Sequence, residues 1–300
     1  MRTQSHPTSE GTPERNLLAV FAHPDDETFG VGGTLALYSR RGVAVHLVCA
    51  TLGEAGTVSD EEMQGYLTVA ELREAELRCA AASLGLTSVY LLGYRDSGMP
   101  GAEDNRHPSA LMAKPLDEVA ARITHLIRGL RPQVVLTFDP IGGYRHPDHI
   151  AIHRATVEAF NAAHDPERFP DDLPVFQPDR LYFATFSRPF MRVFVKGLEL
   201  LGQDIHHFGR NADIDLADIA SVSFPVHARV NVRSVAKTKA LASACHSSQM
   251  DPSTSRLLGL LSRVGGGTET YTRSYPPPSP DLRETDLFQG LDPSSQEAEE

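Results

Sequence analysis

The chain has 300 residues, of which 41% are hydrophobic, and a formal net charge of −11. This length and apolar content suffice for one large domain or two small ones. The negative charge argues against a broad nucleic-acid-binding face. No apolar run reaches the roughly 20 residues that a helix needs to cross a bilayer, and the polar N-terminus lacks the apolar core of a secretory signal. We therefore expect a cytoplasmic protein that binds neither nucleic acid nor membrane.

The three cysteines, Cys49, Cys79 and Cys245, show no CxxC spacing. Cys49 ends an apolar run, and Cys79 lies within a helical pattern. Reduced thiols of this kind are typical of cytosolic proteins. The sequence therefore predicts three buried, reduced thiols.

Apolar runs alternate with helical periodicities from residue 16 to residue 160. Residues 1–15 are polar and contain proline and glycine, so we expect a flexible tail. The pattern then predicts strands over 16–22, 43–50, 88–92 and 133–138, and helices over 28–41, 67–84, 116–128 and 147–160. Nearly all-apolar strands alternating with helices favour an α/β fold, with a Rossmann-like, mostly parallel sheet and helices on both faces.

After residue 165 the pattern loosens, which predicts a less regular extension of strands over 180–186 and 228–232 and a helix over 235–247. The apolar stretch 188–202 is interpreted as a core helix, with a lid or a dimer surface as alternatives. Residues 273–300 are poor in hydrophobic side chains, so we expect a disordered acidic tail. One domain over 16–272 follows. The sequence assigns no role to residues 188–220 and leaves a homo-oligomer open.

The most informative segment is Ala22-His-Pro-Asp-Asp-Glu27, which follows the first predicted strand. A second His/Asp-rich turn, His146-Pro-Asp-His149, follows the strand predicted over 133–138. Open α/β sheets bind ligands at the carboxyl ends of their strands, so the two turns are expected to meet. The first turn alone is equally well explained by acids that cap the next helix. Its coincidence with the second turn favours a metal site.

His23, Asp26 and His149 supply the two imidazoles and one carboxylate that suit catalytic zinc, a set that also serves non-haem iron. Asp25 is left over in the same turn. A bound metal lowers the pKa of water toward roughly 7, so a nearby carboxylate can accept its proton. Asp25 is therefore the candidate general base.

These turns resemble those of the LmbE/PIG-L family of zinc-dependent N-acetylglucosaminyl deacetylases. The resemblance covers roughly residues 16–250, and two of its segments are similar to the branch that makes the thiols mycothiol and bacillithiol. The further matching segments are Thr51-Leu-Gly-Glu-Ala-Gly56, the helix 73–85, Gly93-Tyr-Arg-Asp-Ser-Gly-Met99, Asp139-Pro-Ile-Gly-Gly-Tyr144, Lys239-Ala-Leu and His246-Ser-Ser-Gln249.

The resemblance implies roles for the remaining site residues. It repeats the zinc set and the base, and it places His146 near the developing oxyanion, oriented with Asp148. Tyr144 would bind substrate or stabilise the oxyanion. Arg73 and Asp96 would hold sugar hydroxyls, although a helix arginine is commonly a surface residue and an aspartate before Ser-Gly a turn residue.

The function implied is hydrolysis of the N-acetyl group of an N-acetylglucosamine conjugate, releasing acetate. The conjugate would be of the inositol or malate type. The choice between them stays open, because no sequence feature of the rim loops identifies the aglycone. Two alternatives stay open: a thiol S-conjugate amidase of the same family, and a non-catalytic sugar- or metal-binding module. A spare carboxylate beside a complete ligand set favours catalysis, because binding alone needs no base.

Overall fold

The computed structural model describes residues 3–5, 15–185, 188–200, 202–207, 215–249 and 267–291. One sheet of eight strands, ordered β1-β4-β3-β2-β5-β6-β8-β7, runs through this part of the chain. Among the described residues, no helix is both long and apolar enough to cross a membrane. The strands are β1 (Thr3–Ser5), β2 (Asn16–Phe21), β3 (Ala44–Cys49), β4 (Ser88–Leu91), β5 (Val134–Phe138), β6 (Arg180–Thr185), β7 (Ala228–Asn231) and β8 (Thr268–Tyr275).

Five central strands, β4, β3, β2, β5 and β6, pair in parallel. Helices cover both faces, because consecutive residues of a strand point to opposite sides. Leu17 therefore lies in the core cluster on one face, with helical residues such as Leu35, and Leu18 lies in the cluster on the other face, with helical residues such as Ile152. The helices are α1 (Asp26–Phe29), α2 (Gly32–Arg40), α3 (Val69–Leu84), α4 (Leu116–Leu130), α5 (Gly142–Arg145), α6 (Pro147–Ala162), α7 (Arg188–Leu200), α8 (Leu216–Ser221) and α9 (Ala236–Cys245). The α/β, Rossmann-like prediction is confirmed.

The helix predicted over 28–41 is two helices, α1 and α2. The break precedes Gly32, and the N-terminus of α2 is capped by a distant carboxylate. Glu269 accepts hydrogen bonds from the backbone N–H groups of Gly33 (2.9 Å) and Thr34 (2.7 Å), and Lys239 lies 2.7 Å from it. In nucleotide-binding Rossmann folds, this helix end receives a phosphate. Here the protein's own carboxylate occupies that position.

The C-terminal strands belong to the same sheet, and β8 was not predicted. β8 lies antiparallel between β6 and β7. The prediction of a disordered tail over 273–300 is wrong for residues 273–291. Leu287 and Phe288 are buried, and Tyr182 donates a hydrogen bond to Glu284 (2.8 Å). A few apolar anchors inside a polar, proline-containing segment suffice to hold it, and composition does not show them. Residues 292–300 lie outside the described residues.

Two other expectations differ from the structure. Residues 3–5, assigned to a flexible tail, form β1 and pair antiparallel with β4. The helix predicted over 188–202 is α7, and those of its side chains that the structure describes as buried lie in a cluster separate from the two beside the sheet. Its residues Val195 and Leu198 pack with Ile205 and Leu216 in a separate small cluster.

The prediction of three reduced thiols is wrong for two of them. Cys79 in α3 and Cys245 at the end of α9 form a disulfide, while Cys49 is free and buried. The pairing follows from the packing of α3 against α9, and the two cysteines are 166 residues apart in sequence. Sequence spacing cannot reveal such a pair, because it depends on a helix contact between two halves of the chain.

Candidate metal centre and active site

The two His/Asp-rich turns meet at the point where the strand order reverses. β2 lies between β3 and β5. The chain continues from β2 to β3 on one side and from β5 to β6 on the other, so the connections after β2 and β5 leave in opposite directions. This switch point forms the crevice in which open α/β sheets bind ligands. The turn after β2 carries His23 to Glu27, and the segment after β5 carries Tyr144 to His149. Parallel strands thus bring together residues more than a hundred positions apart.

His23, Asp26 and His149 converge on one point. His23 Nδ1 lies 3.1 Å from His149 Nε2 and 3.6 Å from Asp26 Oδ2. His149 Nε2 lies 3.4 Å from Asp26 Oδ1. Ligands at about 2.0–2.2 Å from a tetrahedral ion lie about 3.3–3.6 Å from one another. The observed separations therefore fit a divalent metal held by these three side chains.

Hydrogen bonds behind both imidazoles direct their lone pairs toward that point. His149 Nδ1 donates to the carbonyl oxygen of Gly142 (3.0 Å), so in the neutral ring Nε2 is unprotonated. His23 Nε2 lies 3.2 Å from Asp148 and 3.4 Å from Asp96, and these carboxylates can only accept from it. In the neutral ring of His23, Nδ1 therefore carries the free lone pair. Metal-binding histidines are commonly oriented in this way.

Charge in the crevice also favours a cation. Burial alone would lower the pKa of His23, but the carboxylates of Asp96, Asp148 and Asp26 outweigh burial and raise it well above its usual value. Asp25 adds a further carboxylate, and Arg73 is the arginine that contacts it. Carboxylates thus outnumber fixed positive charges around the three ligands, and a bound divalent ion would offset the excess.

Asp25 stands beside the ligand cluster in a strained backbone conformation. Its φ of 116° lies in a region that L-residues rarely adopt, and such strain costs about 1–3 kcal/mol. Its carbonyl oxygen accepts from the N–H groups of Thr28 and Phe29 at the start of α1. Burial and the neighbouring Asp26 raise the pKa of Asp25 to about 7, against the effect of Arg73. A carboxylate with a pKa near neutrality is suited to accept a proton.

His146 lies against His23, with ring centroids 4.5 Å apart, and its neutral form donates from one nitrogen. Its Nδ1 accepts a hydrogen bond from the backbone N–H of Asp148 (3.2 Å) at the start of α6, so Nε2 carries the proton. Burial, with His23 and His149, lowers the pKa of His146 to about 2. The family resemblance implies that this histidine lies at the developing oxyanion. The structure favours the neutral ring for that role.

The carboxylate of Asp148 contacts His23 and Ser97. Its Oδ2 lies 3.2 Å from His23 Nε2 and accepts from the backbone N–H of Ser97 (2.8 Å), and its Oδ1 accepts from the Ser97 hydroxyl. Only its backbone N–H reaches His146. Asp148 thus contacts His146 through its backbone and His23 through its carboxylate, and its part in the reaction stays a prediction.

Tyr144 lines the same crevice, with its ring centroid 4.8 Å from that of His149. Burial and the carboxylates of Asp26 and Asp25 raise the pKa of Tyr144 well above its usual value, so its hydroxyl stays a donor. The glycine two residues earlier makes this arrangement feasible. Gly142 has a φ of 66°, and a Cβ there would stand 2.6 Å from His149 Cβ.

Arg73 and Asp96 are both buried, and much of their hydrogen-bonding capacity is used inside the protein. Arg73 donates to the carbonyl oxygens of Gly53 (3.0 Å) and Pro24 (2.6 Å) and to Asp25 Oδ2 (3.2 Å). Asp96 accepts from the N–H groups of Gly98 (2.8 Å) and Ala55 (3.3 Å). The contacts of Arg73 hold the turn that carries the candidate base, and contact of either side chain with a sugar stays a prediction.

Two buried residues that the sequence analysis left without a catalytic role complete the surroundings of the base. Glu27 and His246 are 0% exposed, and His246 Nε2 lies 2.6 Å from Glu27 Oε1. Burial would lower the pKa of His246, but Glu27 outweighs it and raises this pKa. The available signal was the family-like segment beginning at His246. Its partner could not be found, because the two residues are 219 positions apart.

Comparisons with known proteins agree with this geometry. Residues 18–160 match the family described as GlcNAc-PI de-N-acetylase, PIG-L. A 1D-myo-inositol 2-acetamido-2-deoxy-alpha-D-glucopyranoside deacetylase of Geodermatophilus obscurus is 38% identical over 93% of this chain and 99% of its own length. The deacetylase of the same name from Acidothermus cellulolyticus is 36% identical over 93% of this chain and 96% of its own length.

Among solved structures, the N,N'-diacetylchitobiose deacetylase of Pyrococcus horikoshii superposes with a TM-score of 0.61 at 20% identity, covering 94% of this chain and 88% of its own. At that identity the likeness concerns the fold alone. The sequence identity to the two relatives, over nearly their whole length, carries the assignment. The chain belongs to the PIG-L family of de-N-acetylases.

Proposed function

We propose that this protein removes the acetyl group from N-acetylglucosamine linked to inositol, in a metal-dependent hydrolysis that releases acetate. The observation that carries the proposal is the convergence of His23, Asp26 and His149 on one point, with Asp25 beside them. A ligand set with a spare carboxylate of raised pKa suits hydrolysis, since binding alone would not need that carboxylate.

The side chains divide the work of amide hydrolysis between them. A divalent ion held by the three ligands supplies Lewis acidity toward a carbonyl oxygen and makes water more acidic. Asp25 accepts the proton of the attacking water. His146 Nε2–H and the Tyr144 hydroxyl face the crevice as donors for the oxygen that gains charge. Asp25 then returns its proton to the departing amine, which balances the proton transfers.

The names of the relatives favour inositol over malate as the group attached to the sugar. Both are described as acting on 1D-myo-inositol 2-acetamido-2-deoxy-alpha-D-glucopyranoside, and this chain aligns with almost their full length. Arg73 and Asp96 are proposed to bind the sugar through those of their polar atoms that are not used in hydrogen bonds within the protein. A thiol S-conjugate amidase of the same family is the second reading.

Zinc is the proposed metal, because two imidazoles and one carboxylate match its preference and leave a coordination position for a reactant. Iron(II) binds similar sets and is the alternative. We further propose that the enzyme is cytoplasmic and acts on a small molecule, with neither nucleic acid nor a membrane as a partner. Whether it forms a homo-oligomer is left open. The Cys79–Cys245 disulfide weighs against the cytoplasm, where disulfides are rare.

The test is acetate release from the inositol conjugate, the malate conjugate and free N-acetylglucosamine. The protein is assayed as purified, after treatment with a chelator, and after addition of zinc or iron(II). We expect release from the inositol conjugate above all, loss on chelation, and recovery with one metal. Cleavage of the amide bond of a thiol S-conjugate, without acetate from any sugar, would identify the amidase. Metal binding without any turnover would favour a binding module.

A further inference from the structure

A buried chain of hydrogen bonds links the candidate base to the C-terminal part of the protein. Glu27 Oε2 accepts a hydrogen bond from the backbone N–H of Asp25 (2.9 Å), and Glu27 Oε1 lies 2.6 Å from His246 Nε2. Both Glu27 and His246 are 0% exposed. Each oxygen of the Glu27 carboxylate therefore has its own partner, one in the active-site turn and one after α9.

The N–H at the near end of this chain belongs to the strained residue. Asp25 has a φ of 116° and is the N-cap of α1, so its N–H has no backbone acceptor within that helix. Glu27 supplies an acceptor from two positions later. If the carboxylate rotated or moved away, the N–H would be left unpaired and the strained conformation would lose a stabilising contact.

The imidazole at the far end is held in place by its own surroundings. It follows directly after α9, whose last residue, Cys245, is bonded to Cys79 of α3. On its other side, Ser248 donates to Glu76 of α3 through its backbone N–H (2.8 Å) and its hydroxyl (2.7 Å). His246 is thus clamped to α3 on both sides, which fixes where its Nε2 stands.

We propose that Glu27 and His246 are positioning residues for catalysis: His246 fixes the Glu27 carboxylate, which holds the Asp25 backbone in the conformation that aims its side chain at the reactants. The proposal rests on the function proposed above. Neither residue would touch substrate or metal. A displacement of about 1 Å at a reacting group can cost about a hundredfold in rate, so a hydrogen bond two residues removed from the carboxylate can matter to kcat.

A pair of amide substitutions separates positioning from general stability. The amide nitrogen of glutamine stands where Nε2 of histidine stands, whereas asparagine is too short to reach it. We expect His246→Asn to lower kcat about 10–100-fold with KM within about twofold, and His246→Gln to recover most of the loss. Metal content, measured by atomic spectroscopy, should stay near one ion per chain in both variants.

His46→Gln is the matched control. His46 is also a buried histidine with one side-chain partner, Ser88 Oγ at 2.7 Å, but it lies in β3 away from the turn. It should lower stability without changing kcat. If His246→Asn does not fold, the pair Glu27→Gln and Glu27→Leu asks the same question, because only glutamine keeps an oxygen acceptor for the Asp25 N–H.

A readout independent of turnover is hydrogen exchange at the Asp25 amide. We expect slow exchange in the wild type and His246→Gln, and exchange at least about tenfold faster in His246→Asn. Equal kcat and equal Asp25 exchange in folded His246→Asn and wild type would overturn the proposal. Wild-type protein that releases no acetate would instead contradict the proposed function, while the exchange measurement would still decide the positioning role.

Discussion

The parallel and antiparallel parts of the sheet contribute differently to the candidate site. The candidate metal ligands, the candidate base and the candidate oxyanion donors all follow β2 and β5, within the parallel part. The antiparallel part, with β7, β8 and α9, reaches the site through buried polar contacts such as His246 on Glu27 and Glu269 on α2. The first part therefore carries the candidate reactive groups, and the second supports the turns and helices on which they lie. Substitutions in the two parts should therefore have different effects on turnover and on stability.

The largest expected effect is in the parallel part, at the base. Asp25→Asn should lower kcat by about 10²–10⁴-fold, because an amide cannot accept the proton of water. Metal content and the free energy of unfolding should change little, since asparagine keeps the size of the side chain. Asp218→Asn, at an exposed aspartate paired with Arg145, is the control and should stay fully active. An active, metal-loaded Asp25→Asn protein would assign the base elsewhere.

In the antiparallel part, Glu269→Ala should act on stability and spare the chemistry. It removes the acceptor for Gly33 and Thr34 and leaves Lys239 without its carboxylate partner. We expect the free energy of unfolding to fall by about 3–4 kcal/mol, measured by urea denaturation. Glu269→Gln should cost less, because its amide oxygen still accepts from α2. A fall in kcat at unchanged stability would show that β8 contributes to the reaction directly.

The Cys79–Cys245 disulfide links α3 to α9 of the antiparallel part, so it tests how much this connection contributes to stability. Reduction, or the double variant Cys79→Ser/Cys245→Ser, should lower the free energy of unfolding by about 2–4 kcal/mol, because the bond closes a long loop. The double variant should then be insensitive to reductant. Titration of three free thiols in the native protein, with no effect of reductant on its melting, would restore the prediction made from sequence spacing.

Local pattern explains what could be predicted from sequence. The turn from His23 to Glu27 follows an apolar strand, and the same holds for the segment before His149, so two short motifs sufficed to locate the site. Apolar periodicity likewise gave the parallel strands and most helices. The partners of Glu27 and Glu269 are 219 and more than 200 residues away, and nothing in either neighbourhood indicates them. The Cys79–Cys245 bond and the buried segment around Leu287 depend on the same long-range packing.

The smallest expected effect concerns acid, and it again separates the two parts. Burial in β3 lowers the pKa of His46 to about 4, against about 6.5 in the unfolded chain. As the pH falls below about 6.5, His46 becomes protonated in the unfolded chain but stays neutral in the folded protein down to about pH 4. The stability linked to neutral His46 is therefore complete above about pH 6.5 and is lost between about pH 6.5 and about pH 4. At about pH 5 the loss is about 2 kcal/mol.

The difference in unfolding free energy between about pH 7.5 and about pH 5 should therefore be smaller by about that amount in His46→Gln. His206→Gln, at an exposed histidine beside Asp215, should keep the wild-type acid sensitivity. Equal acid sensitivity in His46→Gln and wild type would mean that His46 takes up its proton without unfolding, and that the parallel part is less rigid around β3 than its packing indicates.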